Sequence, residues 1–162
     1  MRELIPAAER AASLLRKRGQ TVAVAESSAG GLITAALLAV PGASDYCLGG
    51  SVVYTRAALL ALRDMDVAML KGLQPATEGY TLFKARAVRQ RYGADWAIGE
   101  GGVAGPTGNR YGNPVGHVCL AVAGPRESAL TTVLEAADRI EYMHRFAAAA
   151  LDLFCETVAA AP

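Results

Sequence analysis

The sequence predicts a single α/β domain of three layers, α/β/α, with a mixed sheet, spanning residues 1–162. Three observations lead there. Residues 21–40, TVAVAESSAGGLITAALLAV, join a short β-branched run to an Ala/Leu-rich run of helical length through Ser27, Ser28, Gly30 and Gly31. That is the pattern of strand, tight turn and helix. Short apolar runs then alternate with amphipathic stretches along the chain, as helices covering a sheet require. Finally, residues 115–123 and 129–134 read as strands around a turn at Gly124-Pro125, so part of the sheet is antiparallel.

Taken in order, residues 2–18 place Ile5, Ala8, Ala12 and Leu15 on one helical face, with Arg16, Lys17 and Arg18 at the carboxyl end and Gly19 as the stop. The central strand, turn and helix follow and end at Pro41. A Pro/Gly/Ser/Asp-rich loop leads into a strand over residues 51–54. Residues 57–63 are helical in composition, and Asp64 and Asp66 are candidate starts of a further short helix through Leu70. Thr77 is the expected N-cap of a helix that turns Tyr80, Phe83 and Ala87 inward, leaves the basic residues between them solvated and stops at Gly93. Residues 94–98 read as a strand, and residues 99–112, with six glycines, as a long loop. Asp138 with Glu141 suggests a capping box. It opens a last helix expected to bury Ile140, Met143, Ala147, Ala150, Leu151 and Phe154.

Composition excludes several classes. A length of 162 residues buries enough apolar surface for one domain to fold without staples. Cys47, Cys119 and Cys155 are odd in number and scattered, which predicts reduced, buried thiols in a cytoplasmic protein. His117 and His144 stand in no metal-binding spacing, so no metal and no cofactor are expected. The net charge of +1 comes from mixed signs and forms no basic stripe, against nucleic acid as a partner. No run approaches the roughly 18 apolar residues of a membrane span, and no signal-peptide pattern is seen.

The chemistry-bearing stretches are the turn after the first strand and the glycine-rich segment. Ser27 and Ser28 fall at the carboxyl end of a strand, where the N–H groups of the next helix favour an anion; helix capping is the alternative role for either serine. Gly99 to Ala104 fit the loose pattern G-x-G-x-x-A. The dinucleotide fingerprint requires a helix to open at once, however, and Gly105-Pro106 continue a loop instead. Backbone N–H groups of such a loop are suited to cradle a phosphate. Neither a phosphate-loop motif nor a G-x-S-x-G elbow occurs.

Five motifs in order, Ala25-Glu26-Ser27-Ser28-Ala29-Gly30-Gly31, Pro41-Gly42-Ala43-Ser44, Gly49-Gly50-Ser51-Val52-Val53-Tyr54, Gly102-Val103-Ala104-Gly105-Pro106 and Pro114-Val115-Gly116-His117-Val118, resemble the CinA carboxyl-terminal domain, the nicotinamide-nucleotide amidase family. The resemblance implies a dimeric three-layer α/β/α domain that hydrolyses the carboxamide of nicotinamide mononucleotide to nicotinate mononucleotide and ammonia. It implies Ser27 as nucleophile, Ser44 and the N–H groups of the turn as candidates to hold the oxyanion or orient the amide, Tyr54 as a further catalytic residue, and Gly30, Gly31, Arg56, Gly102, Ala104, Gly105, Pro106 and Arg139 around a pyridine nucleotide or related phosphorylated ligand.

This chain also departs from the family. Where the family reads Y-S-N-E-A-K and uses the lysine as base, the chain reads Tyr54-Thr55-Arg56-Ala57-Ala58-Leu59. Ser28 and Ala29 replace Cys-Thr, Gly101 replaces a hydroxyl residue, and Met143 stands where an arginine often follows the Asp138-Arg139 pair. Loss of one member of a cooperating pair costs orders of magnitude in turnover. Three readings follow: an amidase with another base, from Lys71, Lys84, Glu100 or His117; a nucleotide-binding paralogue without turnover; or a dimeric interaction subunit. In this reading Glu100 is a solvent-facing loop acid and Lys84 is solvated.

Overall fold

The computed structural model describes residues 1–61, 67–135 and 137–162. Five strands form one sheet in the order β2-β1-β3-β4-β5. They are β1 (Val22–Glu26), β2 (Cys47–Val52), β3 (Trp96–Gly102), β4 (His117–Ala123) and β5 (Ser128–Val133). β1 runs parallel to both neighbours, with Ala25 opposite Gly99 and Glu26 opposite Val52, while β4 and β5 are antiparallel additions on one side. This is the mixed sheet expected from the sequence.

One face of the sheet is covered by α1 (Ile5–Arg18), α2 (Leu32–Leu38) and α5 (Arg139–Ala159), and the other by α4 (Glu78–Tyr92) with the short α3 (Arg56–Ala61). Every residue of β1 and β4 is buried, as strands flanked on both faces must be. The first face holds the larger apolar cluster, including Trp96, Phe146 and Phe154 at no more than 0% exposure. Each such aromatic contributes about 2–3 kcal/mol of burial. Leu59, Phe83 and Val88 belong to a smaller cluster against α4. No helix among the described residues is long and apolar enough to cross a membrane, and no three His, Cys, Asp or Glu side chains among them gather as a metal site needs.

Several boundaries differ from expectation for tertiary reasons. β2 begins at Cys47 and ends before Tyr54. β3 continues through Gly102, consuming the first part of the expected loop. Its glycines are there because α4 presses on the strand: a Cβ on Gly99 would lie 2.6 Å from the Thr81 carbonyl oxygen. Thr77 caps α4 as expected, accepting the Tyr80 N–H, but the buried face of that helix is Thr81, Phe83, Lys84, Ala85 and Val88. In α5 the buried phase is set by Tyr142 and Phe146, leaving Ile140 69% exposed and Met143 half-buried. Asp138 accepts the Glu141 N–H, whereas the Glu141 carboxylate pairs with Arg145 and does not complete the capping box. Of the helices expected over residues 57–70, the first is seen as α3 and the last turn as a 3₁₀ segment, Val67–Leu70; residues 62–66 lie outside the described residues.

Candidate functional site

The site is built where β1 and β3 end together. Glu26, the last residue of β1, is fully buried. Its carboxylate accepts the N–H groups of Gly31 (2.9 Å), Ile33 (3.1 Å) and Thr34 (3.0 Å) and the Thr34 hydroxyl (2.6 Å). The amino end of α2 is therefore neutralised by the protein's own anion. This corrects the expectation that those N–H groups stand open to a ligand.

A second buried carboxylate does the same for the turn. Glu100, in β3 and fully buried, accepts the N–H groups of Ser27 (2.8 Å) and Ala29 (3.0 Å) through Oε2. Its Oε1 is buried with no hydrogen-bond partner among the described residues. Burial pushes this carboxyl above its ordinary range, against the opposing pull of Lys84 and the two N–H groups. Glu100 is thus no solvent-facing loop acid, and the Ser27 and Ala29 N–H groups are not available to an oxyanion. Ser28 is also spoken for: its hydroxyl donates to the Gly102 carbonyl (2.5 Å) and accepts from the Gly102 N–H (3.2 Å), clasping the turn to the end of β3.

Ser27 is different. It is half-buried, its hydroxyl has no hydrogen bond among the described residues, and it lines a cavity of about 680 Å³. Gly102, Ala104 and Gly105 form one wall, so the serine and the glycine-rich segment face one space as anticipated. Tyr54 comes from the β2–α3 connection, Arg56 from the start of α3, Tyr80 and Lys84 from α4, and Arg110 and Tyr111 from the segment before β4. Arg139 closes the rim, donating to the Tyr54 hydroxyl (3.1 Å) and to the Gly105 carbonyl. The segment carrying Arg110 and Tyr111 is pinned by Asn109, whose Oδ1 accepts the N–H groups of Tyr111 and Asn113, both at 3.0 Å. Four cationic side chains and no carboxylate line the cavity among the described residues, which favours an anionic ligand.

Lys84 overturns its sequence reading. It is 3% exposed, and Nζ donates to the Glu100 carbonyl at 2.8 Å and lies 5.7 Å from the centroid of the Tyr80 ring. Burial lowers the pKa of its ammonium, with Glu100 and then Cys119 opposing. The signal in the sequence was present: Thr81, Lys84, Ala85 and Val88 follow the i, i+3, i+4, i+7 spacing of a buried stripe, with a lysine in it.

The remaining expected residues separate clearly. Leu59 is fully buried in the apolar cluster under α4, so position 59 offers the cavity no titratable group. Ser44 is exposed in a 3₁₀ turn, Ala43–Asp45, that precedes β2. Because β2 is parallel to β1, that turn lies at the opposite end of β1 from Ser27, about 16 Å away at 3.3 Å per residue. This corrects its assignment beside the amide. Gly30 and Gly31 shape the turn into α2 with positive φ and do not line the cavity, and Pro106 is exposed beside its wall. His117 is held by the Ala76 carbonyl (3.0 Å), and Lys71 is exposed; neither lines the cavity.

Fold and cavity together define a three-layer α/β domain that presents an unengaged serine among cations at the carboxyl ends of two parallel strands. Residues 5–158 match the family model of the CinA C-terminal domain, and the chain belongs to that family. It is 47% identical over 112 residues to a CinA-like protein of Prochlorococcus marinus, covering 69% of this chain and 26% of that protein. A CinA-like protein of Acidobacterium capsulatum is 38% identical over 142 residues, covering 86% and 34%. The chain thus spans about a quarter to a third of the length of the curated relatives it matches. Among solved structures, the competence damage-inducible protein A (ComA) of Klebsiella pneumoniae superposes with a TM-score of 0.89 at 25% identity, covering 97% of this chain and 98% of that one. The competence/damage inducible protein CihA of Agrobacterium tumefaciens gives 0.84 at 27% identity, covering 95% and 94%.

Proposed function

We propose that this chain hydrolyses the carboxamide of a small phosphorylated ligand, with nicotinamide mononucleotide as the reference substrate and Ser27 as the nucleophile. The observation that carries the reading is the unbonded Ser27 hydroxyl opening onto a cavity of about 680 Å³ lined by four cations. That volume suits a ligand of mononucleotide size. Arg56, Arg110 and Arg139 attract the phosphate, and Tyr54, Tyr80 and Tyr111 offer faces to a ring. Attack by Ser27 on the amide carbon forms an acyl-enzyme and releases ammonia; water then releases the carboxylate. Family membership supports the reading.

A second reading, binding without turnover, is favoured by Leu59 sealed in the core where the family's base is expected. Ammonia release from nicotinamide mononucleotide, run beside a thermal-shift titration with the same compound, separates the two. Release that disappears in Ser27→Ala supports hydrolysis. A ligand-dependent shift without release replaces it by the binding reading, and neither signal removes both.

A further inference from the structure

Hydrolysis through Ser27 needs a group to take the hydroxyl proton, and position 59 cannot supply it. Three of the four cations in the cavity are arginines, which keep their protons at any working pH. We propose that Lys84, reaching in from α4, is the proton acceptor for Ser27, an inference that rests on the hydrolase reading above.

Strand register brings the two residues to the same end of the sheet. Ala25 pairs with Gly99 in the parallel ladder of β1 and β3. Two residues further along, Ser27 has just left β1 while Gly101 continues β3 on the α4 side, and both line the cavity together with Lys84. The Lys84 Nζ lies 3.3 Å from where a Cβ on Gly101 would stand, so the amine head sits beside Gly101 in the cavity that Ser27 lines. The two departures from the family pattern are complementary. Removing a hydroxyl side chain at 101 opens the space that the Lys84 head occupies, and the lysine absent at 59 is replaced from another helix.

The surroundings leave the amine able to exchange its proton. Its one hydrogen bond goes to a backbone carbonyl, and it forms no ion pair among the described residues. The titratable groups around it are Tyr80 on its own helix, Glu100 from β3, and Cys119 from β4, which lies against His117. The Glu100 carboxylate is turned to the N–H groups of the Ser27 turn rather than to the amine. In the reaction the neutral amine takes the Ser27 hydroxyl proton as Oγ bonds to the amide carbon. The resulting ammonium returns that proton to the amide nitrogen as the C–N bond breaks and ammonia leaves with its electron pair. Water then adds to the acyl-serine with Lys84 accepting its proton, and the proton passes to Ser27 Oγ as the ester bond breaks.

The test does not depend on the substrate. Ser27 is sulfonylated with phenylmethanesulfonyl fluoride, and the rate is followed by intact mass with peptide mapping in the full chain. The expected result is labelling at Ser27 in the wild type and a loss of about 100-fold or more in Lys84→Met, Lys84→Gln and Lys84→Arg, the lower range for general-base catalysis. Circular dichroism selects those variants that fold, and any one of them decides. Wild-type labelling absent from Ser27, or a folded variant labelled at the wild-type rate, overturns the proposal. Lys84-dependent labelling without ammonia release from nicotinamide mononucleotide leaves Lys84 assigned and removes the substrate reading alone.

Discussion

Two buried charges on opposite faces of the sheet, Glu26 and Lys84, are treated in opposite ways. On the α1, α2 and α5 side the apolar core runs from Leu4 to Ala161, and Glu26 at the end of β1 makes four hydrogen bonds. On the α4 side the apolar cluster is smaller and gives out at the ends of β1 and β3, where Lys84 is buried with a single hydrogen bond. A saturated charge holds structure together, whereas an undersatisfied one beside a cavity is poised to change its protonation state. The contrast is what sets the proposed chemistry on the thinner face.

The largest expected effect concerns that face. Ser27→Ala should lower ammonia release by about 1,000-fold or more while the melting temperature stays within about a degree, because the hydroxyl engages nothing in the fold. Next comes the structural face: Glu26→Ala leaves three N–H groups and a hydroxyl without their acceptor and is expected to cost about 3 kcal/mol in a urea titration. Lys84→Met should do the reverse, raising stability by about 1 kcal/mol at neutral pH, since a buried amine is exchanged for an apolar side chain of similar shape. The sign follows from the lowered pKa. Below its folded pKa the lysine is charged in both states and its burial is fully unfavourable. Between the folded value and the unfolded 10.5 the unfolded chain binds more protons, so wild-type stability recovers as pH rises. The advantage of Lys84→Met should therefore shrink toward pH 10.5; an advantage that grows with pH would contradict a buried amine. The smallest effect is Ser44→Ala, expected within about twofold of wild type in ammonia release and about 0.5 kcal/mol in stability, because an exposed side chain at the far end of β1 touches neither face.

Much of the fold was legible in the sequence, and the missing part has a physical cause. The strand, turn and helix around Ser27, the Thr77 cap and the β4–β5 hairpin all rest on local chemistry, and each is present. Family resemblance pointed to the serine and the glycine-rich segment, which line one cavity. Residues 99–102 read as loop because glycine is a poor strand former in isolation; only the close approach of α4 explains it there. The same approach set the helix phase that carries Lys84 inward, one residue away from the aromatic stripe expected from Tyr80 and Phe83. Glu100 was misread for the same reason, since its burial follows from β3 running on.

The clasp between Ser28 and Gly102 and the pinning of residues 109–113 by Asn109 have one further consequence. Under the proposed function both walls are tied down before the ligand arrives, so little ordering entropy is lost on association, and the opening would work as a gauge of fixed bore. Discrimination among related compounds would then come from rejecting misfits rather than from reshaping around them.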